Sequence, residues 1–222
     1  MASNQKQLDS LANNLANSST TAYKRQTSFV HAMAKNRRGG QTEEVRVETR
    51  VDFSQGNIKR TGNPLDLALD GEGFFGVEGP SGEVYSRNGQ FQVDREGGLQ
   101  TLDGFPVAWE KLNGAIDSAG IPIVVNSEGV VRQGDREIGR LRIMNFKDAQ
   151  KLESIDGGYY ERPFDLEEAT HTATVRQGSL EGSNVSPIEE MIAMISVQRR
   201  FSGASNVLSM INDTYRRLTR LQ

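Results

Sequence analysis

SPIEEMIAMISVQRRFSGASNVLSMINDTYRRLTRLQ, residues 186–222, reads as one long amphipathic helix. From Met194 onward, apolar residues recur at Val197, Phe201, Ala204, Leu208, Ile211, Tyr215 and Leu218. Alternating steps of three and four form a sustained heptad seam. Its start is marked by Ser186 as a cap, Pro187 at the first helical position and Glu189 closing a Ser-x-x-Glu capping box. At 1.5 Å per residue such a rod is about 50 Å long. No other segment offers a helical pattern of that length to cover it. The seam therefore points to packing against other chains, and to a structural building block.

Outward from this helix, the glycines partition the rest. Of 23 glycines, 22 lie between Gly39 and Gly182, together with five of the six prolines. Turns break the middle, and both ends are left free to be helical. The expected division is a helical assembly segment over 1–38, a β-rich domain over 39–182, and the C-terminal helix over 183–222. The fold class is α+β. An antiparallel, barrel- or sandwich-like meander sits at the centre, and the two terminal helices pair as a coiled-coil-like stalk.

At the N-terminus, Leu8, Leu11, Ala12, Leu15 and Ala16 keep helical spacing. Asn17–Thr21 interrupts it, because such side chains compete for backbone hydrogen bonds. A second, weaker helical patch is expected where Phe29/Met33 and Val30/Ala34 stand four apart. The segment is too short to be stable alone, and the C-terminal helix is its natural partner.

The middle is a series of short strands. Val45, Val47 and Val51 alternate with charged residues. Val84–Arg87 and Phe91–Asp94 flank Asn88-Gly89, which predicts a two-residue hairpin. Leu99–Leu102, Ile121–Val125 and Arg140–Met144 are further candidates, with turns at Glu96-Gly97-Gly98, Ser127–Gly129 and Gly134-Asp135. Lys147–Ser154 reads as a short helix or turn.

Several chemistries are weak on these residues. Gly71–Gly76 spells G-x-G-x-x-G, but the chain continues Val77-Glu-Gly-Pro80 rather than into the helix a pyrophosphate site needs. Turn and bulge glycines account for it better. Asp66, Asp70 and Glu72 lack the order of a calcium loop. The two histidines, His31 and His171, lie far apart and there is no cysteine, so zinc and Ser-His-Asp chemistry are disfavoured. No catalytic, cofactor or metal residue is assigned, and an enzyme with a cleft in the β domain is the weakest reading. A net charge of −3 gives no basic footprint for nucleic acid. No apolar run is long enough to span a membrane, and no cleavable signal peptide is expected. Arg199, Arg200, Arg216, Arg217 and Arg220 are read as a solvated face or as partners for Glu189 and Glu190 of a neighbour.

The motifs together resemble one family. Leu11-Ala-Asn-Asn-Leu-Ala-Asn17 followed by Thr20–Arg25 is similar to the N-terminal signature of bacterial flagellar rod and hook proteins. Gly62–Phe75, Tyr85–Phe91 with Asp94, and Asp103-Gly-Phe-Pro-Val107 resemble its central β domain. Leu180-Glu-Gly-Ser-Asn-Val185, Glu189-Glu-Met-Ile192 and Gln198-Arg199 resemble its C-terminal signature.

The resemblance implies a structural, non-enzymatic subunit of the axial basal-body rod. Its partners are further copies of itself and other axial subunits, with export by the flagellar type III apparatus and no small-molecule substrate. By position, it implies that Asn13, Asn14, Leu15, Asn17 and Lys24 serve the N-terminal assembly region. Leu180, Glu181, Gly182, Asn184 and Val185 shape the start of the C-terminal helix. Compact length fits a rod subunit better than the hook, and a proximal rod member ahead of a distal one. The family usually has Asn at Ser19 and Gly at Ala22, so a left-handed turn at Ala22 is in question. It also usually carries small and apolar residues ahead of the position of Met1. A hook or phage-tail-like surface protein on a coiled-coil stalk is the alternative.

Overall fold

The computed structural model describes residues 2–37, 40–117, 120–155 and 157–219, with the side chains of 2–4, 30–48, 204, 208 and 212–219 outside the description. The chain divides into two compact units. One comprises Met1–Ala16, Gln26–Arg50 and Ser186–Gln222, and the other Asn17–Arg25 with Val51–Val185.

The first unit holds α1 (Ala2–Ala16), β1 (Gln26–Arg37), β2 (Gly40–Val51) and α2 (Pro187–Thr219). Helix α2 begins at Pro187, where the proline has no N–H to lose. Helix α1 ends where Asn17–Thr21 was expected to break it. The patch with Phe29/Met33 and Val30/Ala34 is not helical: it is strand β1, paired with β2. Pairs four apart in so short a run do not separate helix from strand. A second extended run of equal length, with which it pairs, tips the balance. The side chains of His31, Val45 and Val47 lie outside the described residues.

The second unit is strands and turns. In chain order they are β3 (Ile58–Arg60), β4 (Leu67–Asp70), β5 (Phe74–Gly79), β6 (Gly82–Ser86), β7 (Phe91–Val93), β8 (Leu99–Thr101) and β9 (Trp109–Leu112). There follow β10 (Ile123–Val125), β11 (Val130–Gln133), β12 (Arg136–Leu141), β13 (Ile143–Phe146), β14 (Glu153–Ile155), β15 (Tyr159–Glu161), β16 (Glu168–Ala169), β17 (Thr174–Gln177) and β18 (Ser179–Glu181). A six-stranded sheet runs β14-β15-β6-β5-β13-β16 and a four-stranded one β10-β11-β12-β9, with β17-β4, β18-β3 and β7-β8 as pairs. These pairings are antiparallel. The turns at 96–98, 127–129 and 134–135 join neighbouring strands as expected, and Ala149–Lys151 is a 3-10 turn.

Alternation along β5 explains the core. Phe75 packs with Leu69, Phe91, Val131 and Ile138, whereas Phe74 packs with Tyr85, Phe146, Leu152 and Tyr160. Successive side chains of a strand point to opposite faces, so one strand supplies both clusters.

The hairpin expected at Asn88-Gly89 does not form. β6 pairs with β5 and β15, and β7 pairs with β8. Gly89 is there for another reason: a Cβ on it would lie 1.7 Å from the Leu67 carbonyl oxygen. The Leu67 N–H donates to Gly89 O at 2.9 Å, so the glycine allows two backbones to touch. Gly71–Gly76 likewise leads into β5, not into a helix.

Candidate assembly interface

Helix α2 carries two apolar faces, of which the heptad seam is one. Near its start the seam is covered: Glu190 is 0% and Val197 3% exposed, and Met194 is half-buried. Farther along it opens, with Phe201 38% and Ile211 46% exposed. Helix α1, at 15 residues, reaches less than half the length of the 33-residue α2. Leu208, Tyr215 and Leu218, which continue the predicted seam, have side chains outside the described residues.

The second face escaped the sequence reading. Ile188, Met191, Ile192 and Ile195 are 71%, 50%, 59% and 51% exposed. Their spacing of three, four and seven puts them on one stripe, about 180° from Val197 at 100° per residue. The signal was present in the sequence, but a count begun at Met194 passes it by.

Where α1 meets α2, Asn14 is the joint. Its Nδ2 donates to Gln26 O at 2.8 Å and to Glu190 Oε2 at 3.1 Å, and its Oδ1 accepts from Gln26 N–H at 2.9 Å. A carboxamide carries its donor and its acceptor on separate atoms, so this one side chain pairs with both backbone groups of Gln26. Ser10 and Ser28 add a hydroxyl–hydroxyl bond. Leu11 is buried, Leu8 and Leu15 half-buried, and Asn13 exposed. Glu190 is fully covered, so of the two acids expected to meet a neighbour's arginines only Glu189 is exposed. Arg199 and Arg200 are also exposed, and the side chains of Arg216, Arg217 and Arg220 fall outside the description.

In the second unit, Lys24 and Glu181 form a buried ion pair at 2.6 Å with both side chains at 0% exposure. Lys24 Nζ also donates to Ser54 O at 2.7 Å, and Gly56 N–H donates to Glu181 Oε1 at 2.8 Å. Arg87 Nη1 stands 3.6 Å from Glu181 Oε2, while its Nη2 donates to Gly71 O at 2.8 Å. The guanidinium lies 5.5 Å from the Phe74 ring centroid. Burial holds the Lys24 ammonium below the usual lysine range, against the opposing pull of Glu181, and it lowers Arg87 in the same way. Removing charge from water is costly unless paired, so this cluster of two cations and one carboxylate depends on Glu181.

Around it the backbone closes tightly. Ala22 N–H donates to Glu181 O at 2.8 Å, with Ala22 in the left-handed region at φ 57°. The turn questioned for want of a glycine is therefore made with alanine. Gly182 N–H donates to Asn57 O at 2.9 Å. Asn184 accepts from Arg25 N–H at 2.8 Å, and its Nδ2 donates to Asp52 O at 2.8 Å and Ser54 O at 3.0 Å. Leu180 lies in β18, Val185 is buried, and Asn17 accepts from the Thr20 hydroxyl at 3.2 Å.

The residues considered for chemistry are dispersed. Asp70 pairs with Arg176 at 2.5 Å and Asp66 accepts from Asn63 at 2.9 Å. Asp66 is buried, and His171 is exposed. Among the described residues, no three His, Asp or Glu side chains group to hold a metal ion. No helix there is long and apolar enough to cross a membrane.

The sequence that builds this arrangement is similar to known proteins. Residues 176–221 match the flagellar basal body rod FlgEFG protein C-terminal family, and residues 68–133 match the flagellar hook protein FlgE/F/G D1 domain. The flagellar basal-body rod protein FlgF of Caulobacter vibrioides is 32% identical over 211 residues, covering 91% of this chain and 86% of that protein. The chain belongs to the flagellar rod protein family. The rod protein FlgG of Buchnera aphidicola is 32% identical over 242 residues, covering 95% and 92% of the two chains. FlgF of Escherichia coli is 30% identical over 235 residues, covering 95% and 90%. Rod proteins are structural and non-enzymatic, and the cluster of Lys24, Arg87 and Glu181 is accordingly read as architecture.

Proposed function

We propose that this rod-family chain polymerises through its terminal helices, with itself and with other axial subunits, into the basal-body shaft that carries torque from motor to hook. The observation that supports this most is the apolar stripe Ile188, Met191, Ile192 and Ile195, half or more exposed on a helix already packed on its other side. Exposed apolar area of this kind mostly marks a contact surface. Neighbouring subunits bury that stripe and the exposed seam residues Phe201 and Ile211. Helices α1 and α2 then continue as a coiled-coil-like stalk with their neighbours, and the assembly region comprises 1–38 and 183–222.

A subunit with such a face must be kept from assembling early. Export through the flagellar type III apparatus, without a cleavable signal, delivers it to a rod crossing the periplasm. The test is a density map of basal bodies from cells supplied with this chain. The proposal expects α2 in the inner layers of the shaft with Ile192 and Ile195 against a neighbouring subunit. A map with α2 facing solvent overturns it.

A further inference from the structure

The chain passes between its two units four times, at 16/17, 25/26, 50/51 and 185/186. Three of those crossings are tied together inside the second unit by residues 181–184. On one side stands the segment 22–25. Ala22 N–H reaches Glu181 O, Lys24 Nζ reaches the Glu181 carboxylate, and Arg25 N–H reaches Asn184 Oδ1. On the other side stand Asp52, Ser54, Gly56 and Asn57, joined through Asn184 Nδ2, the Glu181 carboxylate and Gly182 N–H. The outer two segments meet directly through Asp52 N–H to Arg25 O at 2.8 Å and Lys24 Nζ to Ser54 O at 2.7 Å. Residues 181–184 are thus the middle rib of three.

We propose that Glu181 and Asn184 form a latch, so that segments 22–25 and 52–56 become ordered only when the last strand, β18, and the residues after it have docked. The argument is one of sequence separation. Lys24 is 157 residues from Glu181 and Arg25 159 from Asn184, so no local interaction substitutes for the late segment. Without the carboxylate, Lys24 and Arg87 are two buried cations facing each other, and the compact arrangement repels itself. Without the Asn184 amide, Arg25 N–H loses its acceptor, and Asp52 O its donor. Both outer segments continue directly into β1 and out of β2. A chain in which β18 has not paired therefore does not hold its N-terminal and hairpin crossings in place. The consequence for assembly rests on the polymerising role proposed above, namely that a partly folded subunit does not present both ends together. The latch itself does not rest on it.

Amide hydrogen exchange on the full-length purified chain tests the latch. The probes are the amides of Ala22, Arg25 and Asp52. The references are Val107 and Leu141, bonded at 2.8 and 2.9 Å to Leu99 O and Gly129 O in the distant core. Asn184→Ala is expected to speed exchange at the three probes about tenfold or more, while the references stay at wild-type rates. Glu181→Gln keeps an oxygen for Lys24 and Gly56 but removes the charge, and it is expected to raise the probe-to-reference ratio further. Probe rates unchanged in Asn184→Ala, or references accelerated as much as probes, overturn the latch. Polymerisation of the wild-type chain, followed separately by sedimentation, decides the assembly role whatever the exchange result.

Discussion

Replacing Ile192 and Ile195 by serine separates the two faces of α2. Isoleucine and serine have similar helix propensities, so the free helix is expected to keep its content. Both side chains are a little over half exposed in the chain, 59% and 51%. Fully burying such a side chain is worth about 1.5–3 kcal/mol, so finishing the burial at an interface is worth about 1–1.5 kcal/mol each. Absolute affinities do not follow from area, but differences between variants do so far better. The double variant is thus expected to lose about 2–3 kcal/mol per subunit added, and each 1.4 kcal/mol is tenfold in an equilibrium constant. The critical concentration for polymerisation, read from sedimentation across a dilution series, should rise about 30- to 100-fold. Far-ultraviolet circular dichroism and thermal midpoint of the unassembled chain should stay as in wild type. Val197→Ser is the contrast: at 3% exposure, it should lower the midpoint of the unassembled chain itself. A critical concentration within threefold of wild type, or a loss of helix in the unassembled double variant, refutes the reasoning.

Three further outcomes follow from the second unit. Gly56→Ala puts a Cβ 2.0 Å from Gly182 O, which is backbone and cannot step aside; a loss of about 1–3 kcal/mol in urea unfolding is expected, and an unchanged midpoint refutes the close approach. Glu181→Leu strands two buried cations and should cost about 3–5 kcal/mol, whereas Lys24→Met leaves Arg87 facing Glu181 and should cost about 1–2; the reverse order in denaturant titration counts against the charge arithmetic. Burial, with Asp103 as hydrogen-bond acceptor at 2.7 Å, pushes the Tyr159 hydroxyl from its ordinary 10.0 up to about 12. Above pH 10 the unfolded chain sheds this proton while the folded chain keeps it, so stability present below pH 10 is lost as pH rises towards 12. Tyr159→Phe should flatten that part of the alkaline profile, and parallel profiles for variant and wild type would exclude the role.

What the sequence revealed was what local patterns encode. Helix α2, the break at Asn17–Thr21 and the turns at 96–98, 127–129 and 134–135 each depend on residues within a few positions of one another. β1 was misread because pairs four apart in a short run suit both periods, and its partner strand settles the matter. Asn88-Gly89 was misread because a glycine needed for close approach to Leu67 carries the same letters as a turn glycine. The family signatures pointed to Lys24, Glu181 and Asn184, yet nothing in them tells that 24 and 181 are partners across 157 residues, or that both are sealed from solvent. The stripe from Ile188 to Ile195 was legible and was passed over, since a helix with two apolar faces is unusual for a chain expected to bury just one.

The routing of the chain inside the second unit bears on where that unit can be cut. Its residues are not one contiguous stretch: 17–25 join 51–185 from far away in sequence. The three ribs 22–25, 52–57 and 181–184 are hydrogen-bonded to one another. A fragment trimmed to 51–185 keeps the glycine-rich strands but leaves the place of Lys24 beside Glu181 and of Arg25 beside Asn184 empty. The smallest piece of this chain that holds the whole β domain therefore begins before β1, not after β2.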